Sequence, residues 1–185
     1  MSVLVRCVLL CLLLAGCGGN VTGPVPATPA PGTGQATPFG ATERAFVELA
    51  IATDEQAVKL LAAGQAQAAH PALRQLARDA GAARRAEVAE LRGLLTSAAV
   101  EYVDNHKGHD MPGMPTDAEI TAVEAAGPGF DAQFVKLLRA HLDESAVVLR
   151  SAVRAVSDEP TRALASRMAS DRTEFTRRLD AVVPV

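Results

Sequence analysis

One short segment of this chain concentrates side chains that bind soft metal ions. His106, His109, Met111 and Met114 lie within nine residues, interspersed with glycines that would let the backbone fold around an ion. Thioether sulfur binds Cu(I), and imidazole binds either oxidation state of copper, so the mixture favours copper over zinc, iron or calcium. The alternative is a flexible polar loop that holds the same residues without a metal.

A second candidate is His141, which shares a helical stripe with apolar residues and should face the interior. A carboxylate at Glu144, three residues on, could orient this imidazole as it does for metal-ligating histidines. The alternative is a core histidine satisfied by one hydrogen bond. The stripe consists of Phe134, Leu137, Leu138, Ser145 and Val148.

The elements that position these residues are helices. Apolar residues at a three-four spacing predict a first helix from about Thr42 to Ala69 and a second one opening at Pro71. Thr116 and Glu119 form a capping-box pattern that opens a short helix.

The helical pattern then repeats. Residues 134–138 (Phe-Val-Lys-Leu-Leu) resemble residues 46–50 (Phe-Val-Glu-Leu-Ala), and Pro160 nearly matches the place of Pro71. Two helical hairpins joined by the His/Met-rich loop predict an all-α, up-down-up-down four-helix bundle. Because the loop should join helix ends while His141 lies roughly 16 Å inside its helix, we expect two separate features.

The N-terminus indicates export. Residues 1–16 contain a single charge and an apolar run too short to span a bilayer, which is typical of a signal peptide. Small residues lead into Cys17, and this resembles the lipobox of bacterial lipoproteins, in which the thiol is lipidated. An ordinary secretory signal is the alternative. Residues 17–40 then form a flexible Gly/Pro/Thr/Ala linker, and residues 41–185 form the bundle domain.

Composition excludes several kinds of chemistry. Two of the three cysteines precede Cys17, and lipidation consumes the third, so disulfides and thiolate metal sites are not expected. Only one of 18 basic residues precedes Cys17, which leaves 17 against 21 acidic ones, and a nucleic-acid partner is not expected. The chain has no Glu-x-x-His pair, phosphate loop or nucleophile elbow, and we do not expect an enzyme.

The doubled Phe-led helix, the proline-led partner helix and the His/Met loop resemble domain of unknown function family 305. The resemblance implies a ferritin-like helical bundle, often exported and in some members linked to copper. It also implies a His-His pair in the first helix of each hairpin. Here Thr53-Asp54 replaces the first pair, and the second is half kept as His141-Leu142. Asp54 could supply an oxygen ligand or an ion-pair partner, or be a solvated helix charge.

Two functions follow as hypotheses. The first is a lipoprotein held outside the cytoplasm on a bacterial cell membrane by lipid on Cys17. It would bind or buffer copper and pass it to a copper-transfer partner. The second is a structural or protein-interaction bundle that has lost the metal site.

Overall fold

The structure is a computed structural model that describes residues 39–182. A 3-10 turn at Gly127–Gly129 lies immediately before the helix that begins at Phe130. Within residues 39–182, no helix is long and apolar enough to cross a membrane. The predicted signal peptide, Cys17 and nearly all of the linker lie outside the described residues. The helices are α1 (Ala41–Gln67), α2 (Pro71–Ser97), α3 (Asp117–Glu124), α4 (Phe130–Ala155) and α5 (Glu159–Val182).

Local sequence explains where α2 and α3 begin. His70 is the N-cap of α2, where its Nδ1 accepts from the backbone N–H of Ala72 at 3.2 Å, and Pro71 occupies the first turn. At α3, Thr116 Oγ1 accepts from the N–H of Glu119 at 3.2 Å, and Glu119 Oε2 accepts from the N–H of Thr116 at 2.9 Å. The predicted capping box is confirmed.

The four long helices form one bundle, in which each packs against two others. α1 packs on α2 and α4, while α5 packs on α4 and α2. The core has two apolar clusters, one at each end of the bundle. The prediction of an all-α four-helix bundle made of two helical hairpins is confirmed.

The direction of the helices differs from the predicted up-down-up-down order. One apolar cluster contains the start of α1, the end of α2, the end of α4 and the start of α5. The other contains the opposite ends of the same helices. The bundle therefore runs up-down-down-up, an order that keeps every neighbouring pair antiparallel and requires one long crossover.

The crossover is the connection from α2 to α4. It starts beside the first cluster, where Val100 and Tyr102 pack, and it reaches the second cluster through Ile120 and Val123 of α3. Since α3 packs against α1 and α4, the connection lies over these two helices. The His/Met loop therefore passes the middle of the bundle.

Candidate functional site

The four metal-binding side chains predicted in the loop are divided between two cavities. His106, His109 and Met114 line a cavity of about 300 Å³. Met111 lines a neighbouring cavity of about 50 Å³ together with Pro112. The backbone turns sharply between the two methionines, because the N–H of Met114 donates to the carbonyl of Met111 at 3.1 Å.

The larger cavity combines two imidazoles with a thioether. The rings of His106 and His109 are 6.3 Å apart between centroids and nearly perpendicular. His109 is exposed and His106 half-buried, whereas Met114 is buried. The cavity wall also carries charges of both signs, from Glu55, Asp104, Asp117, Lys59 and Lys107.

The smaller cavity leads from the loop towards the bundle interior. Met111 and Pro112 form part of its wall together with apolar residues of three helices, and polar side chains complete the lining. The apolar residues are Phe46, Leu49, Ala50, Val148, Leu149 and Met168, and the polar ones are Thr53, Asp54, Ser145 and Arg172.

His141 is buried in the middle of α4, which confirms the interior position predicted for it. Its Nδ1 lies 3.0 Å from the carbonyl oxygen of Gly113, and its Nε2 has no hydrogen-bond partner among residues 39–182. Because a carbonyl only accepts, Nδ1 carries the proton in this pair. The loop backbone and His141 are therefore in direct contact, because the crossover runs along the bundle instead of joining neighbouring helix ends. The loop side chains His106, His109 and Met114 nevertheless line a cavity that His141 does not line.

Gly113, and not Glu144, holds the imidazole. Glu144 is exposed, and neither ring nitrogen of His141 is bonded to its carboxylate. Instead, the Glu144 side chain lies beside the loop, where a Cβ built on Gly113 would come within 2.4 Å of the Cβ of Glu144. The backbone carbonyl of Gly113, and not the predicted Glu144 carboxylate, thus orients the ring.

A charge network fills the interior beside His141. Arg172 Nη2 donates to Asp54 Oδ1 at 2.7 Å, and Arg172 Nη1 donates to Glu87 Oε2 at 3.0 Å. Arg84 Nη2 donates to Glu87 Oε1 at 3.1 Å, and Arg172 Nε donates to the Ser145 hydroxyl at 2.9 Å. Asp54 is only 1% exposed, so the alternative of a solvated helix charge is wrong, whereas that of an ion-pair partner is confirmed.

Burial shifts the protonation of the network. Burial lowers the pKa of His141 to about 4, with Asp54 opposing and Arg84 reinforcing the shift. Burial raises the pKa of Glu87 to about 9 against the influence of Arg84, and it raises the pKa of Asp54 as well. His141 is therefore a neutral imidazole at neutral pH.

The interior does not fit a bound metal cation. Two guanidinium groups, Arg84 and Arg172, are permanently charged, and two carboxylates at most balance them. The two guanidinium groups already pair with both carboxylates, so a further cation beside His141 would meet no unbalanced negative charge. Residues 39–182 contain no group of three or more His, Cys, Asp or Glu side chains placed to hold a metal ion.

Sequence reasoning missed Glu87, Arg172 and the pairing across the bundle. One signal was present: Arg84 interrupts the apolar stripe of its helix, and Arg172 follows it after 88 residues. The same spacing separates Phe46 from Phe134. A charged residue that recurs at equivalent core positions of both hairpins indicates a buried network.

Comparison with known proteins places this fold in a family. Residues 43–183 match the family described as "Domain of unknown function (DUF305)". The chain belongs to the DUF305 family. A solved structure described as "Crystal structure of DUF305 fragment from Deinococcus radiodurans" is similar, with a TM-score of 0.69 and 18% sequence identity. The alignment covers 79% of this chain and 97% of that one.

The similarity to this structure shows a shared fold. A sequence identity of 18% carries no information on ligands. A comparison with curated proteins found no match. The family match over residues 43–183 confirms the resemblance to domain of unknown function family 305. In this DUF305 protein, an ion pair between Asp54 and Arg172 lies in the interior of the bundle.

Proposed function

We propose that this protein is a lipid-anchored, extracytoplasmic DUF305 lipoprotein that binds or buffers copper at its crossover loop. One observation carries the proposal: His106, His109 and Met114 line the same cavity, although the chain separates them by up to eight positions. Binding, not catalysis, is the activity that this side-chain set supports.

The donor set selects the metal. A thioether is a soft ligand suited to Cu(I), and imidazole nitrogens suit copper in both oxidation states. His106, His109 and Met114 would hold the ion. Sequence predicts Met111 as a fourth ligand, but Met111 lines the other cavity, and we therefore propose a set of three loop ligands.

The anchor belongs to the same proposal and rests on sequence. A signal peptide over residues 1–16 and lipid on Cys17 would hold the domain at a bacterial cell membrane, and residues 17–40 would tether it. A loop site that opens to solvent at His109 suits delivery of copper from such a tether to a transfer protein. Labelling of cells with a fatty-acid analogue tests the anchor, with Cys17→Ala as the control that should lose the label.

A Cu(I) competition titration against a colorimetric chelator tests the copper site. The structure provides a matched pair of variants, because Met111 and Met114 lie in one loop but line different cavities. We expect Met114→Leu and His106→Ala/His109→Ala to lose tight one-to-one binding and Met111→Leu to retain it. Equal loss in both methionine variants would overturn the three-ligand assignment, and no binding by the parent protein would overturn the copper proposal.

A second function is favoured by the interior network. Asp54 occupies a position where the family resemblance implies a histidine, and here it is ion-paired with Arg172, which suits a structural or protein-interaction bundle without any metal dependence. This alternative predicts an unfolding temperature unaffected by copper or by chelators. Copper recovered in stoichiometric amount with protein isolated from its own cell envelope would contradict it.

A further inference from the structure

The outer face of α4 carries charged side chains without an ion-pair partner. Asp143, Arg150 and Arg154 are exposed, and none of the three forms an ion pair within residues 39–182. By contrast, Arg139 on the same helix pairs with Asp180 of α5 at 2.7 Å. Arg150 and Arg154 are four residues apart, and like charges at this spacing repel each other. The single chain therefore leaves the charges of this face unbalanced locally.

An exposed valine lies between the acidic and the basic residues. Val147 is 53% exposed, the highest value among the large hydrophobic side chains that are exposed in the described part of the chain. Helical periodicity places Asp143, Val147 and Arg154 on the side of α4 opposite the buried Leu138. An apolar side chain in such a setting is typical of an interaction surface.

The face is continuous with an open groove between α4 and α5. Asp143, Val147 and Arg150 line a cavity of about 510 Å³ together with residues of α5 that include Thr173 and Thr176. The other side of α4 is different, because Val148 there shares the smaller cavity with the crossover loop. The charged face and the loop thus lie on separate sides of the helix.

The order of charges along α4 makes this face complementary to itself. At 1.5 Å per residue, Asp143 lies about 6 Å before Val147, whereas Arg150 and Arg154 lie about 4.5 and 10.5 Å after it. A two-fold axis through Val147 exchanges the two directions. Each Asp143 then faces the interval between Arg150 and Arg154 of the other copy, and the two Val147 side chains meet at the axis.

We propose that this face of α4 binds a second copy of the chain in an antiparallel, two-fold symmetric dimer. Charge complementarity favours this partner, since every unpaired charge of the face meets an opposite one. An anionic lipid surface would attract the two arginines but repel Asp143. The inference does not rest on copper binding, because the loop lies on another side of α4.

Charge reversal tests the pairing. Sedimentation equilibrium of the full chain, in density-matched detergent and over a range of concentrations, measures the dimer. We expect Asp143→Arg to weaken dimerisation at least about tenfold, and Asp143→Arg/Arg150→Asp to restore it. Glu124→Arg, at an exposed position of α3, is the control and should dimerise like the parent. A monomeric parent, an unaffected single variant or a double variant without recovery would overturn the proposal.

The valine provides a second, independent pair of variants. We expect Val147→Glu to be monomeric, because two carboxylates would meet at the axis, and Val103→Glu to remain a dimer. Val103 is a matched control, since it is 45% exposed but lies outside α4. Equal effects of the two substitutions would contradict the proposed axis. A monomeric parent whose binding to phosphatidylglycerol vesicles falls in Arg150→Ala would assign the face to anionic lipid instead.

Discussion

The Nδ1 of His141 lies 3.0 Å from the carbonyl oxygen of Gly113, and this contact joins the core of the bundle to its crossover loop. The loop approaches α4 so closely at this point that only glycine fits, because an added Cβ would also come within 3.1 Å of the Ala140 carbonyl oxygen. The histidine kept in the second hairpin therefore positions the segment that carries the copper-binding candidates.

We expect Gly113→Ala to destabilise the protein by about 2 kcal/mol or more. Its φ of +73° is unfavourable for alanine by roughly 1–2 kcal/mol, and the new Cβ would overlap the Glu144 side chain. Gly108→Ala is the matched control, since its φ is +76° but no atom lies within 4 Å of the added Cβ. Chemical denaturation measures both, and equal losses would show that the close approach to α4 contributes nothing.

The stability of the protein should depend on pH through His141. Since burial lowers its pKa from 6.5 to about 4, the unfolded state binds more protons between these values. The free energy of unfolding therefore falls as pH decreases through this window, by about 2 kcal/mol between roughly pH 7 and pH 5. The raised pKa values of Asp54 and Glu87 act in the opposite direction.

A His141→Gln variant isolates this contribution. Glutamine can donate to Gly113 but does not titrate, and the two carboxylates remain in both proteins. The free energy of unfolding should fall towards acid pH more steeply in the parent protein than in the His141→Gln variant. Parallel profiles would contradict the shift assigned to His141.

We expect Arg172→Met to cost about 3–5 kcal/mol, because it leaves Asp54 and Glu87 buried without their shared partner. Arg177→Met is the control: Arg177 lies on the same helix but forms an exposed ion pair with Glu174, and no measurable change is expected. Thermal and urea unfolding of both variants test the difference. Similar stabilities of the two variants would show that the buried network is not a stabilising unit.

We expect Gly64→Ala to destabilise the contact between α1 and α4 by about 1–3 kcal/mol. A Cβ at Gly64 would lie 2.3 Å from the ring of Phe134, so the ring would have to move. Gly93→Ala in α2 meets nothing within 4 Å and should stabilise its helix by roughly 0.5–1 kcal/mol. Chemical denaturation should therefore give changes in unfolding free energy of opposite sign for the two glycine-to-alanine substitutions.

Much of the fold follows from local sequence. The three-four spacing of apolar residues, the proline at the start of α2 and the Thr116–Glu119 capping box predict helices close to those observed. The repeated Phe-led pattern predicts two hairpins, and the His141 stripe predicts an interior position. These features depend on residues within one or two helical turns, so they can be read without knowing how the helices pack.

The tertiary structure alone decided the direction of the second hairpin and the contacts of the site. A long connection is compatible with both the up-down-up-down and the up-down-down-up order of helices. Packing of the two apolar clusters selects the second order, in which the crossover brings Gly113 to His141. Asp54 and Arg172 are 118 residues apart, and their pairing arises because docking of the helices buries both charges together. A charge is costly to bury alone but stable when paired, and such pairing is a property of the assembled bundle.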